Sequence, residues 1–384
     1  MRNKVLLVCI LIFVASSCFR HNNSQETTLE VIDVKDAFDD KRPIGIDDVA
    51  RDYEYIKLET ADECLVGSNA TVYSDEQNIV VLDRTRILLF DRNSGSFVRS
   101  IGNIGNGPGE YSRTYAKMPY NYGKKTVYAR NNTERIEYNL EGDFVGSKKP
   151  PELVYDFVDL GNETYAAFID NYMGDEKNKI IVFDGQDSII KIFPNYLSFQ
   201  FNGIVNMYSI NSWFTRLNGK TSFCEKFNDT LFYLTPELLE PRFLFYKGPY
   251  AFPYELRGNS VNMSDKYFFT ENVLESTRYL FYVFGFQNRI YTAVYDKEKK
   301  ETVVNDYVGE SGNGFVDNIN GFAPLELSSI NESGELVCVI DAFRINQWFR
   351  EHGEEAERLP EYMKQLEQLN EMDNPVVIVA KLKD

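Results

Sequence analysis

The stretch LLFDRNSGSFVRSIGNIGNGPGEY, residues 88–111, combines two apolar runs with two kinds of turn. LLFD and SFVRSIG are typical of neighbouring β-strands, and the RNSG between them places a glycine at the left-handed position of a turn. The glycine-rich segment GNIGNGPGEY at 102–111 then has two interpretations. It is either a phosphate-binding loop or a crossing between two sheets.

The spacing of the glycines does not support a phosphate-binding loop. A dinucleotide fingerprint needs Gly-x-Gly-x-x-Gly at the start of a helix. Gly105, Gly107 and Gly109 instead alternate with single residues, and no amphipathic helix follows them. The Gly-Lys-Ser/Thr of a P-loop does not occur in this segment either. We therefore predict a structural crossing, in which glycines such as Gly102 adopt positive φ and Pro108 fixes its own φ.

The same rhythm of short strands continues from about residue 53 to the end of the chain. Short β-like runs cluster in residues 55–102, 126–147, 153–193, 207–234 and 278–306. Groups of about four strands in roughly 40–50 residues are typical of β-propeller blades. The alternating helices and strands of an α/β fold are missing. Five groups, with a sixth divided between the chain ends, predict an all-β, six-bladed β-propeller.

An internal repeat of the glycine-rich loop supports this count. The pattern of Gly102, Gly105 and Gly107 recurs at Gly309, Gly312 and Gly314, with an asparagine before the last glycine each time. If both loops join one blade to the next, the interval spans four blades of about 52 residues each. We therefore interpret both sets of glycines as structural residues of blade junctions.

The C-terminal region departs from the strand pattern. Residues 345–374 have a helical composition, and an apolar stripe runs through Leu359, Met363, Leu366 and Leu369. The stripe either packs on the propeller or docks a partner. Residues 375–384 then return to a strong strand pattern. We predict a small helical insertion in the closing blade, followed by a strand that pairs with N-terminal strands and closes the ring.

The N-terminus has the features of an export signal. Two positive charges precede an apolar run that is too short to span a membrane, and Ala15-Ser16-Ser17-Cys18 follows it. This sequence resembles the lipobox of bacterial lipoproteins, which implies cleavage after residue 17 and acylation of Cys18. Ordinary secretory cleavage is the alternative. The predicted organisation is a signal peptide at 1–17, a lipidated flexible tether at 18–28 and the propeller at 29–384.

Location follows from the same features. An acylated Cys18 would attach the protein to a membrane of the cell envelope without spanning it. We expect the outer membrane, and favour its periplasmic face over the cell surface because no acidic cluster follows Cys18.

Composition narrows the classes of function. A net charge of −17 argues against binding to nucleic acid or to anionic membrane surfaces. His21 and His352 are the two histidines, and Cys64, Cys224 and Cys338 show no CxxC spacing, so we predict no metal site and no cofactor. The three cysteines allow at most one disulfide, and buried free thiols are the favoured interpretation.

Four segments together resemble one family. They are YIKLETADECLVG (55–67), residues 88–111, NDTLFYLTPELLEPRFLFYKG (228–248) and NPVVIVAKLK (374–383). The chain resembles bacterial lipoproteins with a six-bladed β-propeller of the NHL/TolB-like type. The resemblance covers nearly the whole mature chain. It implies the fold and the location, but no reaction, because most members have no assigned function.

The sequence leaves two functions open. The first is a non-catalytic binding or scaffold protein that presents the propeller to a protein, peptide or glycan partner, with the aromatic loop of Tyr246, Tyr250, Phe252 and Tyr254 as a candidate contact. The alternative is a glycan-directed hydrolase or lyase that uses carboxylates in the central channel. An open channel with convergent Asp, Glu, Arg and Tyr side chains would favour the enzyme, and a plugged channel would favour the scaffold. No catalytic residue is assigned.

Overall fold

The computed structural model describes residues 29–115, 117–151, 154, 156–202, 211–258, 264–306 and 314–383. Their strands form six separate, mainly antiparallel sheets of four or five strands each. The sheets are the blades of a six-bladed β-propeller, so the predicted fold class is confirmed. Within these ranges, no helix is both long and apolar enough to cross a membrane.

Blades 1 to 5 follow one another along the chain. Blade 1 contains Thr71–Ser74, Asn78–Leu82, Ile87–Asp91 and Phe97–Ser100 (β3–β6). Blade 2 contains Tyr120–Asn121, Thr126–Asn131, Glu134–Asn139 and Phe144–Lys148 (β7–β10). Blade 3 contains Val158–Gly161, Thr164–Phe168, Asn178–Asp184 and Ile189–Pro194 (β11–β14). Blade 4 contains Ser212–Leu217, Lys220–Glu225, Thr230–Leu234 and Leu239–Tyr246 (β15–β18). Blade 5 contains Phe269–Glu275, Tyr279–Phe286, Arg289–Asp296 and Glu301–Val304 (β19–β22).

Blade 6 is assembled from both ends of the chain. Its C-terminal strands are Gly314–Phe315, Leu325–Ile330, Glu335–Ile340 and Val376–Leu382 (β23–β26), and its outermost strand is Ala50–Lys57 (β2). Strands β2 and β26 are antiparallel, with Tyr53 opposite Ala380 and Lys57 opposite Val376. The C-terminal strand therefore closes the ring against an N-terminal strand.

Middle strands of the blades are apolar on both faces because each blade packs between two neighbours. In β4, Ile79 and Val81 pack in one cluster with Val377 of blade 6. Val80 and Leu82, on the opposite face, pack in another cluster with Val127 of blade 2. Since successive side chains of a strand point to opposite faces, the run NIVVL joins three blades.

The N-terminal segment crosses the outside of three blades before it enters the ring. Strand Glu30–Asp33 (β1) runs parallel to β18 at the outer edge of blade 4. Helix Val34–Asp39 (α1) follows, and its N-cap Asp33 accepts a hydrogen bond from the backbone N–H of Asp36. Phe38 of α1 packs edge-to-face on aromatic rings that include Phe286 of blade 5. A second short helix, Ile46–Val49 (α2), leads into β2. The segment thereby fastens blades 4, 5 and 6 together.

Three short helices lie between β25 and β26. They are Ala342–Glu351, Gly353–Ala356 and Glu361–Lys364 (α3–α5), and a 3₁₀ turn at Gln365–Gln368 follows them. The predicted apolar stripe at Leu359, Met363, Leu366 and Leu369 is buried in the core of blade 6, so the stripe packs on the propeller.

The glycine-rich loop at 102–111 joins blade 1 to blade 2. Gly102 has a φ of +62°, and the Tyr138 ring lies 2.6 Å from the position that a Cβ would occupy there. The N–H of Gly107 donates to the Glu110 carboxylate at 2.7 Å, and the Tyr138 hydroxyl donates to the Gly109 carbonyl at 2.6 Å. The N–H groups of Gly105, Gly107 and Glu110 are thus bound within the loop and are not free for a phosphate.

The second copy of the glycine pattern reaches the start of blade 6. Gly314 is the first residue of β23, where a Cβ would lie 2.5 Å from the Leu325 carbonyl oxygen. Gly102 precedes blade 2 and Gly314 opens blade 6, so the two lie four blades apart. Gly309 and Gly312 fall outside the described residues, and their structural role stays a prediction.

Replacing Gly102 by alanine should destabilise the fold. The positive φ alone costs a non-glycine residue about 1–3 kcal/mol, and contact with Tyr138 adds to it. Urea unfolding of the Gly102→Ala variant, compared with the unmodified chain, measures this loss. Gly146→Ala is the matched control because its φ is not positive and no atom lies within 4 Å of a Cβ there. Equal unfolding midpoints for the two variants would contradict the junction role of Gly102.

Candidate functional site

A cavity of about 250 Å³ lies at the centre of the ring, lined mainly by the first strands of blades 1 to 5 and by β24 of blade 6. All six blades contribute to its wall. Representative lining residues are Tyr73 of blade 1, Tyr122 of blade 2, Asp159 of blade 3, Arg216 of blade 4, Asn272 of blade 5 and Ser329 of blade 6. None of the described residues in α3–α5 lines this cavity, so the helical insertion does not plug it.

The junction between blades 1 and 2 also lines the cavity. After the glycine-rich loop, the chain brings Tyr115, Lys117 and Met118 into the cavity wall before β7 begins. The backbone of this segment is held on both sides of Lys117. The Lys117 N–H donates to the Asp156 carboxylate at 2.7 Å, and the Arg135 guanidinium donates to the Lys117 carbonyl at 3.0 Å. Lys117 is therefore fixed at its backbone by residues of the next two blades.

The groups that hold Lys117 are themselves buried. Arg135 is 4% exposed and stacks on the ring of Tyr128, with 3.7 Å between the guanidinium carbon and the ring centroid. Asp156 lies 4.0 Å from Arg135 and 3.7 Å from Arg130. Buried charges are stable only when they are paired and hydrogen-bonded. Asp156 lies within ion-pair distance of both arginines and accepts the N–H of Lys117, so the cluster gives the segment around Lys117 a rigid support.

Among the described residues, the ammonium group of Lys117 has only neutral partners. Its Nζ donates to the carbonyl oxygen of Ser212 at 2.8 Å and to the Ser212 hydroxyl at 2.5 Å. It also lies 5.6 Å from the centre of the Phe214 ring. No carboxylate of the described residues lies within salt-bridge distance of it. Burial lowers the pKa of Lys117 to about 8, although Asp156 opposes the shift.

Three tyrosines add free phenol groups to the wall. Among the described residues, no hydrogen-bond partner is found for the hydroxyls of Tyr73, Tyr115 and Tyr122, and the Tyr122 hydroxyl is completely buried. Burial raises the pKa of Tyr73 and Tyr122, so both phenols stay protonated and can donate. The Tyr120 hydroxyl, by contrast, donates to Asp75.

Two acidic residues of the wall are paired with lysines. Asp159 accepts from the Lys124 ammonium at 2.7 Å. Burial by itself raises the pKa of the Asp159 carboxyl, but the hydrogen bonds from Lys124 and from the Gly161 N–H, with the nearby positive charges, together lower it. Glu271 lies 2.6 Å from the ammonium of Lys226. Glu332, on the turn between β24 and β25, is exposed. Among the described residues, the cavity wall thus combines two paired carboxylates and the exposed Glu332 with an ammonium group that has no carboxylate within salt-bridge distance.

The aromatic loop singled out from the sequence lies elsewhere. Tyr246 is exposed at the end of β18, whereas Tyr250 stacks on Phe268 with 4.5 Å between the ring centroids. Phe252 packs against Phe269. The Tyr254 hydroxyl accepts hydrogen bonds from Arg257 at 3.1 Å and from Asn171 at 3.4 Å. The structure does not bring these four residues into the cavity, and their contact with a partner stays a prediction.

Sequence reasoning missed the residues that do line the cavity. Tyr115, Lys117, Tyr120 and Tyr122 lie within eight residues directly after the glycine-rich loop. The cluster of three tyrosines around a lysine at a blade junction was the sequence feature that could have indicated this part of the cavity wall. Cys18, the predicted lipid attachment site, falls outside the described residues.

The described residues include three buried cysteines and no candidate metal-binding cluster. Cys64, Cys224 and Cys338 are buried free thiols, as favoured from the sequence. Burial raises the pKa of the Cys224 thiol to about 12, which keeps it protonated at neutral pH. Within the part of the chain that the structure describes, no group of three His, Cys, Asp or Glu residues could hold a metal ion.

The lowered pKa of Lys117 predicts a pH-dependent stability. Between about pH 8 and the ordinary lysine value of 10.5, the unfolded chain holds this proton while the folded chain has released it. The contribution of Lys117 to folding stability therefore rises with pH in this window. The measured quantity is a difference: the free energy of unfolding of the unmodified chain minus that of Lys117→Met. This difference should increase by about 1–2 kcal/mol from pH 7.5 to pH 9.5.

Urea unfolding at several pH values measures this difference, and tyrosine ionisation cancels in the subtraction. Lys149→Met, at an exposed position, should give a flat difference over the same range. A flat difference for Lys117→Met as well would show that Lys117 keeps an ordinary pKa.

Comparisons with known proteins support the fold and place the chain in a family. A structure from Bacteroides fragilis, of a protein named for its predicted export, is similar to this chain with a TM-score of 0.70 and 19% sequence identity. The match covers 92% of this chain and 100% of that one. A Bacteroides vulgatus protein of the DUF4221 family has a TM-score of 0.52 at 12% identity, over 88% of this chain and 98% of that one. At these identities the likeness concerns the fold alone.

A search of curated protein sequences finds no match. The model of one protein family, described as a domain of unknown function (DUF4934), matches residues 29–381, which include every blade of the propeller. The chain belongs to the DUF4934 family.

Proposed function

We propose that this protein is a lipid-anchored binding protein of the cell envelope, and that the central cavity of its propeller is the binding site. The ligand is a residue or an end of a glycan or peptide. The protein acts by holding that ligand, without catalysis. The proposal includes the lipid anchor at Cys18, the periplasmic face of the outer membrane and the kinship with NHL/TolB-like propellers.

The observation that carries this proposal is the wall of the cavity. It combines aromatic faces with three hydroxyl donors and one ammonium, and within the described ranges the hydroxyls have no hydrogen-bond partner and the ammonium has no carboxylate partner. Binding sites are typically concave, largely aromatic or apolar, and supplied with a few convergent polar groups. A volume of about 250 Å³ is below the range of roughly 300–1,000 Å³ for drug-sized ligands. It suits one unit of a longer chain.

The route of the chain is compatible with an N-terminal anchor. Residue 29 leads into β1, which lies at the outer edge of blade 4, on the far side of that sheet from the cavity-lining strand β15. A tether that starts at Cys18 would thus reach the propeller at its rim. The strands that line the central cavity would then lie away from the anchor while the protein is attached to the membrane.

Carboxylate-based catalysis ranks second. The cavity does contain Asp, Glu, Arg and Tyr side chains, which is the arrangement that would favour an enzyme. Glycoside hydrolysis needs one carboxyl that is protonated and one that is ionised. Asp159 has a lowered pKa, which favours its ionised form, and Glu271 is paired with Lys226. The specific pairing of these groups therefore supports binding over hydrolysis.

Filling the cavity should abolish ligand retention. Thr215 lines the cavity from β15, and Thr215→Trp would occupy its volume. Thr277→Trp, on the exposed turn between β19 and β20, is the matched control. The full chain, immobilised and exposed to glycan and peptide fractions of its own envelope, should retain a ligand that mass spectrometry identifies. We expect at least about a tenfold loss with Thr215→Trp, which corresponds to about 1.4 kcal/mol, and no loss with Thr277→Trp.

Two results would contradict the proposal. Equal retention by Thr215→Trp would place the binding site outside the cavity. Cleavage of a retained glycan by the unmodified chain, but not by Thr215→Trp, would make the cavity an active site.

The anchor has its own test. In the producing bacterium, radiolabelled palmitate should enter the protein through Cys18, and Cys18→Ser should lose the label and be released from the membrane fraction. Two acyl chains bind a membrane stably because each buried CH₂ contributes about 0.8 kcal/mol. Cys9→Ser, within the predicted signal peptide, is the control. Labelling that survives in Cys18→Ser would rule out this anchor.

A further inference from the structure

We infer that the central cavity selects its ligand by a single carboxylate group, which it binds at the ammonium of Lys117. This inference rests on the proposed function, since it specifies the chemistry of the ligand that the cavity holds. The carboxylate belongs either to a uronic acid unit of a glycan or to the C-terminus of a peptide. Both present the same singly charged, planar acceptor.

The first argument is the balance of charge in the cavity wall. Asp159 and Glu271 are neutralised by Lys124 and Lys226, at 2.7 Å and 2.6 Å respectively. Lys117 has no such partner among the described residues, and its ammonium donates to the two oxygens of Ser212. A half-buried cation without a counter-ion is costly. A ligand with one negative charge would supply the missing partner, which gives an acidic ligand an advantage over a neutral one of equal shape.

The second argument is that Lys117 is fixed in advance. Its N–H is bound by Asp156, and its carbonyl by Arg135, which is itself stacked on Tyr128. The backbone therefore loses little conformational freedom when a ligand binds. Preorganisation of this kind raises affinity because less entropy is lost on association.

The third argument concerns the hydrogen-bond donors. The hydroxyls of Tyr73, Tyr115 and Tyr122 lack partners among the described residues, and all three side chains line the same cavity as Lys117. Phenol hydroxyls and an ammonium are all donors, so they match a ligand group that only accepts. A carboxylate has two oxygens and about four acceptor sites. Its single charge also matches the single ammonium of Lys117.

Binding of a carboxylate should change the protonation of Lys117. An opposite charge within contact distance favours the charged form of a lysine, so the ligand raises the pKa of Lys117 from about 8. The charged and titratable groups that act on this ammonium are Asp156, Arg130, Cys224 and Asp170, and the neighbouring wall adds Tyr115, Arg135 and Glu271. Binding near pH 8 should therefore take up a proton, and the affinity should fall as the pH rises to about 9.5.

Calorimetric titration of the full chain with matched probes tests the inference. The glycan pair is D-galacturonate against D-galactose, and the peptide pair is Gly-Tyr against Gly-Tyr amide. We expect one acidic probe to bind about tenfold or more tightly than its neutral counterpart, which is about 1.4 kcal/mol. Lys117→Met should abolish that preference and the proton uptake, measured in two buffers of different ionisation enthalpy. Lys149→Met, at an exposed site, should retain both.

The outcomes separate this inference from the proposed function. If acidic and neutral probes bind equally and Thr215→Trp removes both, the cavity is the site but the carboxylate preference is wrong. If the preference survives in Lys117→Met and in Thr215→Trp, the acid binds elsewhere, and both proposals fail. If neither acidic probe binds, the carboxylate inference is wrong, and the retention experiment with Thr215→Trp alone decides the proposed function.

Discussion

The pairing of β2 with β26 is the constraint on which the rest of the molecule depends. It brings together segments that are more than 300 residues apart, and the loop-closure cost grows as (3/2)RT ln n, on the order of 5 kcal/mol for such a loop. Against this stands the burial of nearly every side chain of β26, from Val376 to Leu382. Each fully buried aliphatic side chain contributes about 1.5–3 kcal/mol. Several such side chains outweigh the closure cost, so the ring is closed in the native state.

Ring closure also explains why the centre differs from the spaces between blades. Neighbouring blades pack face to face, and their interfaces are filled by apolar side chains such as Val80 and Val127. The first strands meet at their edges around a shared space, where no opposing sheet face covers their side chains. Buried polar groups without partners are rare in folded proteins. Three described residues with such an unpartnered group lie at or beside the cavity. Tyr122 and Arg135 line it, and Arg130 contacts the same Asp156 that holds Lys117.

The fold was predictable because its signals are local. Runs such as NIVVL and ILLFD, with turn residues between them, identify strands without any tertiary information. The strong strand pattern after the helical insertion likewise indicated closure.

The cavity was not predictable, because its properties come from residues that are distant in the chain. Asp156 and Ser212 set the environment of Lys117 from 39 and 95 residues away. The aromatic loop around Tyr250 was conspicuous in the sequence, yet its ring is used for packing on Phe268.

The junction between blades 1 and 2 links the architecture to the proposed binding site. The glycine-rich loop is held by Glu110 and Tyr138, so the chain that leaves it has a defined direction. That direction takes the chain past Thr114, which is buried and bound to the Asp83 carbonyl, and then to Lys117. A looser junction would let the Lys117 ammonium swing to solvent and recover full hydration. The rigidity of the turn keeps the Lys117 charge half-buried and, among the described residues, without a counter-ion. For that reason the charge can discriminate between a charged and a neutral ligand.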